Sequence, residues 1–255
     1  MYGAIIGDIA GSTYEFKNAV KADFDLFPGG STFTDDTVLT IAIADAIVSG
    51  RNYKESLIEF ARKYPNAGYG MGFMNWFHRA DPEPYNSFGN GSAMRVSPVA
   101  YAFNTIEEVL EEAKKTAEPT HNHPEGIKGA QATAAAVLLA RTGKSRKEIK
   151  EFVEETFGYD ISGTYEELRA RHKPNVICQY TVPASIICFL SSGSFEDAIR
   201  RAIWIGGDSD TLACITGSIA EAYYKEIPPY MVKIAEEKLD DYLLDRVHRF
   251  RELYF

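Results

Sequence analysis

Apolar residues recur along this chain mainly at three- and four-residue spacing, and clean strand-type alternation is scarce. From Asp35 to Gly50 they fall at Val38, Leu39, Ala42, Ile43, Ala46 and Ile47, behind acids in the first turn and ahead of a closing glycine. That is a complete helix signature. The same period predicts helices over Thr105 to Ala117, Gly126 to Arg141, Arg146 to Thr156, Pro183 to Leu190, Phe195 to Ile205, Asp210 to Tyr224 and Met231 to Phe250. Loops are expected at Phe27 to Thr34, Tyr64 to Gly70, Ala80 to Asn90 and Gly158 to Gly163, each marked by Gly, Pro, Asn or Asp. The pattern predicts an all-α bundle whose alanine-rich faces pack closely. No composition break, charge block or repeat marks a linker, so residues 1–255 read as a single domain.

Composition narrows the partners. The 255 residues are 45% apolar and 25% charged, which is ordinary for a folded globule. With 36 acidic against 27 basic residues the net charge is −9, so the surface repels a phosphate backbone and nucleic acid is an unfavoured partner. Apolar runs such as Ala132 to Ala140 are too short to cross a bilayer. The start MYGAIIGDIAGS has no basic n-region and is interrupted by Asp8, which predicts a cytoplasmic protein with no membrane partner. Cys178, Cys188 and Cys214 are an odd number in apolar runs without a CxxC pair, which predicts reduced, buried thiols. An alanine-rich core needs no partner to be complete, so a monomer is expected.

Two acidic clusters carry the candidate chemistry. Phe33-Thr34-Asp35-Asp36-Thr37 places adjacent carboxylates and two hydroxyls where a loop becomes a helix, and Gly206-Gly207-Asp208-Ser209-Asp210-Thr211 repeats the arrangement. Residues two apart on a helix point to different sides, so Asp208 and Asp210 share a ligand only where the backbone is not yet helical; the glycines permit that. Each cluster alone reads more readily as helix capping. Capping needs one side chain, however, and doubled acids in both places repel one another without a cation. All donors are hard oxygens, which favours magnesium, manganese or calcium over zinc, and two ions could share one site.

Three further segments stand out. Gly7-Asp8-Ile9-Ala10-Gly11-Ser12-Thr13-Tyr14-Glu15 is either a phosphate-binding loop or a helix of small packing residues with a solvated Glu15, and its spacing matches no phosphate-loop fingerprint. Tyr85 to Arg95, containing Gly89-Asn90-Gly91-Ser92, offers open backbone amides before a helix start, suited to phosphate oxygens or to a plain turn. Thr120-His121-Asn122-His123-Pro124-Glu125 suits helix capping and a polar pocket wall better than a metal site, since histidines two apart do not share a helix face. His78, His172 and His248 stand singly beside charged residues and read as surface groups.

The order GDIAGSTYEF, FTDDT, GNGSAMR, THNHPEG and GGDSDT resembles the ADP-ribosylglycohydrolase family, related to the dinitrogenase reductase activating glycohydrolase, from Tyr2 to about Tyr224. The resemblance implies an orthogonal helical bundle holding two magnesium or manganese ions at the base of a cleft. It implies Thr34, Asp35, Asp36, Asp208, Asp210 and Thr211 as metal ligands and Glu15 as the acid near the scissile bond. Gly89, Asn90, Gly91 and Ser92 match the loop that cradles diphosphate and ribose, His121 the histidine of the nucleotide pocket, and Tyr180 a position where an aromatic lines the cleft. The chain is short for the family, but no carboxylate of the core motifs is lost.

The expected reaction is metal-dependent hydrolysis of the glycosidic bond between ADP-ribose and an acceptor, either a modified protein side chain or an ADP-ribose-containing small molecule. Metals would orient the ribose and a water, with Glu15 or Asp36 taking the water's proton. Two alternatives stand beside it: a metal-dependent phosphohydrolase, and a non-catalytic ADP-ribose reader.

Overall fold

The computed structural model describes residues 1–255, and its regular structure is helical throughout, with one isolated antiparallel bridge between Gly89 and Ile177. The expected all-α fold is observed. Along the chain come α1 (Tyr2–Gly11), α2 (Asp35–Ser49), α3 (Tyr53–Lys63), α4 (Met71–Phe77), α5 (Gly91–Met94) and α6 (Val99–Ala102). They are followed by α7 (Ile106–Ala117), α8 (Pro124–Arg141), α9 (Arg146–Phe157), α10 (Tyr165–Arg171) and α11 (Cys178–Leu190). The last four are α12 (Phe195–Trp204), α13 (Ser209–Tyr224), α14 (Pro229–Lys238) and α15 (Asp241–Tyr254).

Local chemistry explains most boundaries. Reciprocal capping boxes start α7 (Thr105 with Glu108), α9 (Ser145 with Glu148) and α10 (Thr164 with Glu167). Left-handed glycines, Gly50 and Gly158, both at φ 66°, end α2 and α9. Two expected helices come out differently. The stretch from Met231 to Phe250 is not one helix: Leu239 turns extended, and the Asp240 carboxylate accepts the Leu243 amide at 2.9 Å and caps a new helix. The helix expected to begin at Pro183 begins five residues earlier, at Cys178, and carries the proline inside it. The proline removes one amide donor to the Gln179 carbonyl but leaves the helix running, because burial on α11 holds it. The short helices α3, α4, α5, α6 and α10, and the first helix, go beyond the periodic stretches.

A cluster of 71 buried residues runs from Met1 to Phe250 as one continuous core. Helix α13 lies at its centre, buried over nearly its whole length and packed on α1, α8, α11 and α12. Its contact with α1 is the most extensive, and the sequence of α1 shows why. Gly3, Gly7 and Gly11 recur every fourth residue, and a β-carbon added to Gly7 would sit 2.1 Å from the Ala213 carbonyl oxygen. Only hydrogen fits there, so the two backbones touch. The three cysteines are buried and unpaired, as expected. No helix is long and apolar enough to cross a membrane.

Candidate active site

The glycine contact between α1 and α13 delivers Asp8 to the start of α13, where Asp210 sits. Both are buried, at 0% and 5% exposure, and Asp36 at the start of α2 completes the group at 2%. One carboxylate oxygen from each of Asp8, Asp36 and Asp210 lies within 4.8 Å of the others, and the same holds for Glu15, Asp208 and Asp210. Asp210 is common to both groups. The two acidic clusters of the sequence therefore converge, as do Thr34, Asp35 and Thr211, which line the same cleft.

The first-turn hydroxyls organise these acids. Thr34 caps α2, accepting the Asp36 amide at 3.3 Å while its own hydroxyl donates to Asp8 at 2.7 Å. The Thr211 hydroxyl donates to Asp36 Oδ2 at 3.2 Å. The other oxygen, Asp36 Oδ1, is buried without any hydrogen-bond partner. Asp208 takes an amide hydrogen from Asn90, which also donates to Thr181 at 3.0 Å, tying the second acidic cluster to the glycine-rich loop. Glycines at φ 83° and 87°, Gly206 and Gly207, keep the backbone out of the helix until Ser209, so Asp208 and Asp210 reach one site.

Electrostatics at this point are those of crowded carboxylates. Burial first, and then the neighbouring Asp210 charge, pushes Asp8, Asp35, Asp36 and Asp208 well above the usual carboxylate range. Glu15 on the rim is pushed up to about 7 by burial and by Asp210 and Asp8. Such a group is costly to keep ionised without a counter-charge and holds only oxygen donors. The orphaned Asp36 Oδ1 and the two carboxylate triads sharing Asp210 fit divalent cations.

The cleft encloses about 300 Å³ and is lined by Glu15, Asp35, Asp36, Asp208 and Asp210 together with Gly89, Asn90, Gly91, Tyr85, Arg95 and His121. His121 packs its ring on the glycine-rich loop: a β-carbon on Gly91 would stand 3.1 Å from His121 Nε2. Two residues expected on this cleft sit elsewhere. Ser92 is fully buried behind the loop, its hydroxyl donating to the Gly126 carbonyl at 2.7 Å, because α5 turns it inward against α8. Tyr180 is 56% exposed and lines a separate cavity of about 670 Å³ beside α10. His123 caps α8, accepting the Glu125 amide at 3.1 Å, in keeping with the capping reading.

Two charged residues of this site lie in segments named from the sequence but were given no role of their own there. Asp8 is one, and its signal was an acid in an otherwise apolar, glycine-spaced segment. Arg95 is the other; it ends the GNGSAMR motif and is fully buried on the cleft wall, which a lone arginine in a sequence does not disclose.

Known proteins are similar to this chain over most of its length. The ADP-ribosylhydrolase ARH3 of Bos taurus is 26% identical, covering 97% of this chain and 90% of its own length. The Homo sapiens ARH3 is 27% identical over 87% of this chain and 83% of its own. ADP-ribosylarginine hydrolase Tri1 of Pseudomonas putida (strain GB-1) is 26% identical over 99% of this chain and 79% of its own. A solved structure described as an ADP-ribosylglycohydrolase-related protein complex superposes with a TM-score of 0.74 at 21% identity, covering 99% of this chain and 95% of that one, which shows the shared helical fold. The family description ADP-ribosylglycohydrolase matches residues 1–254, and the chain belongs to that family.

Proposed function

We propose that residues 1–255 form one catalytic domain that hydrolyses the glycosidic bond between ADP-ribose and an acceptor, using two divalent cations, magnesium or manganese. The observation that carries this is the pair of carboxylate triads sharing Asp210, set in the same cleft as the glycine-rich loop and His121. Asp8, Asp36 and Asp210 would hold one cation and Glu15, Asp208 and Asp210 approach the other, with Thr34, Asp35 and Thr211 beside them. Bound cations supply positive charge that orients ribose oxygens and acidifies water.

The chain's own groups do the rest. Glycosidic cleavage builds positive charge at the anomeric carbon, and a carboxylate must take a proton from the attacking water. Glu15 suits that task better than Asp36: it is half-buried on the rim and open to the cleft, whereas Asp36 is enclosed and already accepts from Thr211. The Gly89 and Gly91 backbone, without side chains to block approach, would receive the diphosphate, and Asn90 braces Asp208.

The test incubates metal-free protein with ADP-ribosyl-arginine and ADP-ribosyl-serine peptides, with and without magnesium or manganese, and follows the nucleotide product. The arginine linkage is the one in the name of the Tri1 relative. Metal-dependent release of free ADP-ribose supports the reading and identifies the acceptor. Release of AMP would mark a phosphohydrolase, and ADP-ribose binding without turnover of any ADP-ribosyl compound would mark a reader.

A further inference from the structure

Arg95, Thr120 and His121 form a buried relay in the cleft wall. Arg95 and Thr120 are both 0% exposed and His121 is 5% exposed. Arg95 Nη2 donates to Thr120 Oγ1 at 2.9 Å and to the Thr116 carbonyl at 2.8 Å. Thr120 Oγ1 stands 2.7 Å from His121 Nδ1. The Thr120 hydroxyl has no other partner, and His121 Nε2, turned towards Gly89 and Gly91, has none within the protein.

Counting hydrogens decides the direction of this relay. A guanidinium only donates, so Thr120 Oγ1 is an acceptor towards Arg95. If Nδ1 of His121 carried a proton, it too would donate to Thr120, and the buried hydroxyl hydrogen would be left without an acceptor. If Nδ1 is bare, the Thr120 hydroxyl donates to it, and the hydroxyl hydrogen and both Arg95 Nη2 hydrogens are placed; Arg95 Nε and Nη1 are buried without a partner in either case.

We infer that Arg95, acting through Thr120, fixes His121 as the neutral tautomer with its proton on Nε2, so that the ring presents a hydrogen-bond donor to the cleft between Gly89 and Gly91. The same arrangement disfavours the charged ring: burial and the Arg95 charge both push the His121 pKa well below its usual value. His121 therefore acts neither as a base nor as a cation ligand through Nε2. It reads a ligand acceptor atom, a phosphoryl or ribose oxygen, and Thr120, held by Arg95, acts on that contact through the ring as a positioning residue.

The tautomer belongs to the ligand-free chain, whereas the ligand contact rests on the ADP-ribose reading above, and one set of spectra separates the two. The full chain labelled with 15N-histidine is recorded at neutral pH in long-range 1H–15N spectra, with His121 assigned by its loss in H121Q. The expected result is a proton on Nε2 and a hydrogen-bonded, bare Nδ1; T120S preserves that Nδ1 signature and T120V abolishes it. A proton on Nδ1, or on both nitrogens, in the parent overturns the inference, as does an Nδ1 signal that T120V leaves unmoved.

Titration with ADP-ribose then reads the contact. Its affinity should fall about fivefold in T120V, the size of one hydrogen bond, with T120S close to the parent. H121Q, whose amide nitrogen reaches the Nε2 position, should retain more affinity than H121N. If ADP-ribose binds no variant and not the parent, the functional reading fails while the tautomer stands; equal losses in H121Q and H121N overturn the donor role.

Discussion

Asp8 grips Thr34 with both oxygens: Oδ2 accepts the Thr34 amide at 2.9 Å, and Oδ1 accepts the Thr34 hydroxyl at 2.7 Å. Oδ2 also accepts the Thr37 amide at 3.1 Å. A carboxylate on one helix thus satisfies the open amides at the start of another, 26 residues away in the chain. The first acidic cluster is held in place by a residue that sits outside its motif.

Replacing Asp8 should therefore unseat the start of α2. Asp8→Ala leaves two amides and a hydroxyl without their acceptor, and the relief of crowding against Asp210 offsets only part of that loss. Destabilisation of about 2 kcal/mol is expected in metal-free urea unfolding. An unchanged midpoint would show that Asp8 serves the cations alone.

The α1–α13 contact tolerates no side chain at Gly7. Gly7→Ala would place a methyl 2.1 Å from the Ala213 carbonyl oxygen, forcing the helices apart. Overpacking of about 3 kcal/mol, less about 1 kcal/mol gained in helix propensity, leaves a net loss of about 2 kcal/mol. Because the same separation moves Asp8 from Asp210, cation affinity should fall with stability, which calorimetric titration of manganese would record.

Cations should stabilise the fold, since they bind carboxylates that repel one another when it is empty of charge partners. At a hundredfold excess over Kd, magnesium or manganese should add about 2.7 kcal/mol, seen as a higher Tm than in EDTA. Asp210→Asn removes the carboxylate common to both triads, so its Tm in EDTA should match or exceed the parent's while the metal-dependent rise disappears. Retention of the full rise in that variant would contradict a shared site.

Glu15 lies in the Asp208–Asp210 triad yet opens to the cleft, so a proton-transfer role separates from a folding role. Glu15→Gln should lower kcat for release of ADP-ribose by about two to four orders of magnitude, with ADP-ribose affinity and urea stability little changed. Activity equal to the parent would remove Glu15 from the proton transfer.

Much of this protein was written locally in its sequence. Periodicity fixed the class of fold and the long helices, because the signals for helix interior, cap and stop all lie within a few residues of one another. Thr105 with Glu108, and Gly50 behind Ile47, are legible for that reason. The acidic motifs were legible as well, since doubled carboxylates exceed what capping requires. Met231 to Phe250 shows the limit of periodicity: the apolar spacing continues through Asp240, and only the cap formed with Leu243 reveals a break.

Tertiary structure alone decided the rest, because a site is defined by distances that no local pattern encodes. Asp8 joins Asp36 and Asp210 only through the glycine contact of α1 with α13, and Asn90 meets Asp208 across 118 residues. The inward turn of α5 took Ser92 off the cleft, and the course of α11 took Tyr180 to a neighbouring cavity. Arg95 is a surface residue by composition and a core residue by packing, and its link to His121 through Thr120 exists only once α7, α8 and the glycine-rich loop have closed around it. The sequence determined which chemical groups the protein owns and which helices carry them; long-range packing determined which of those groups meet, and hence what they can do together.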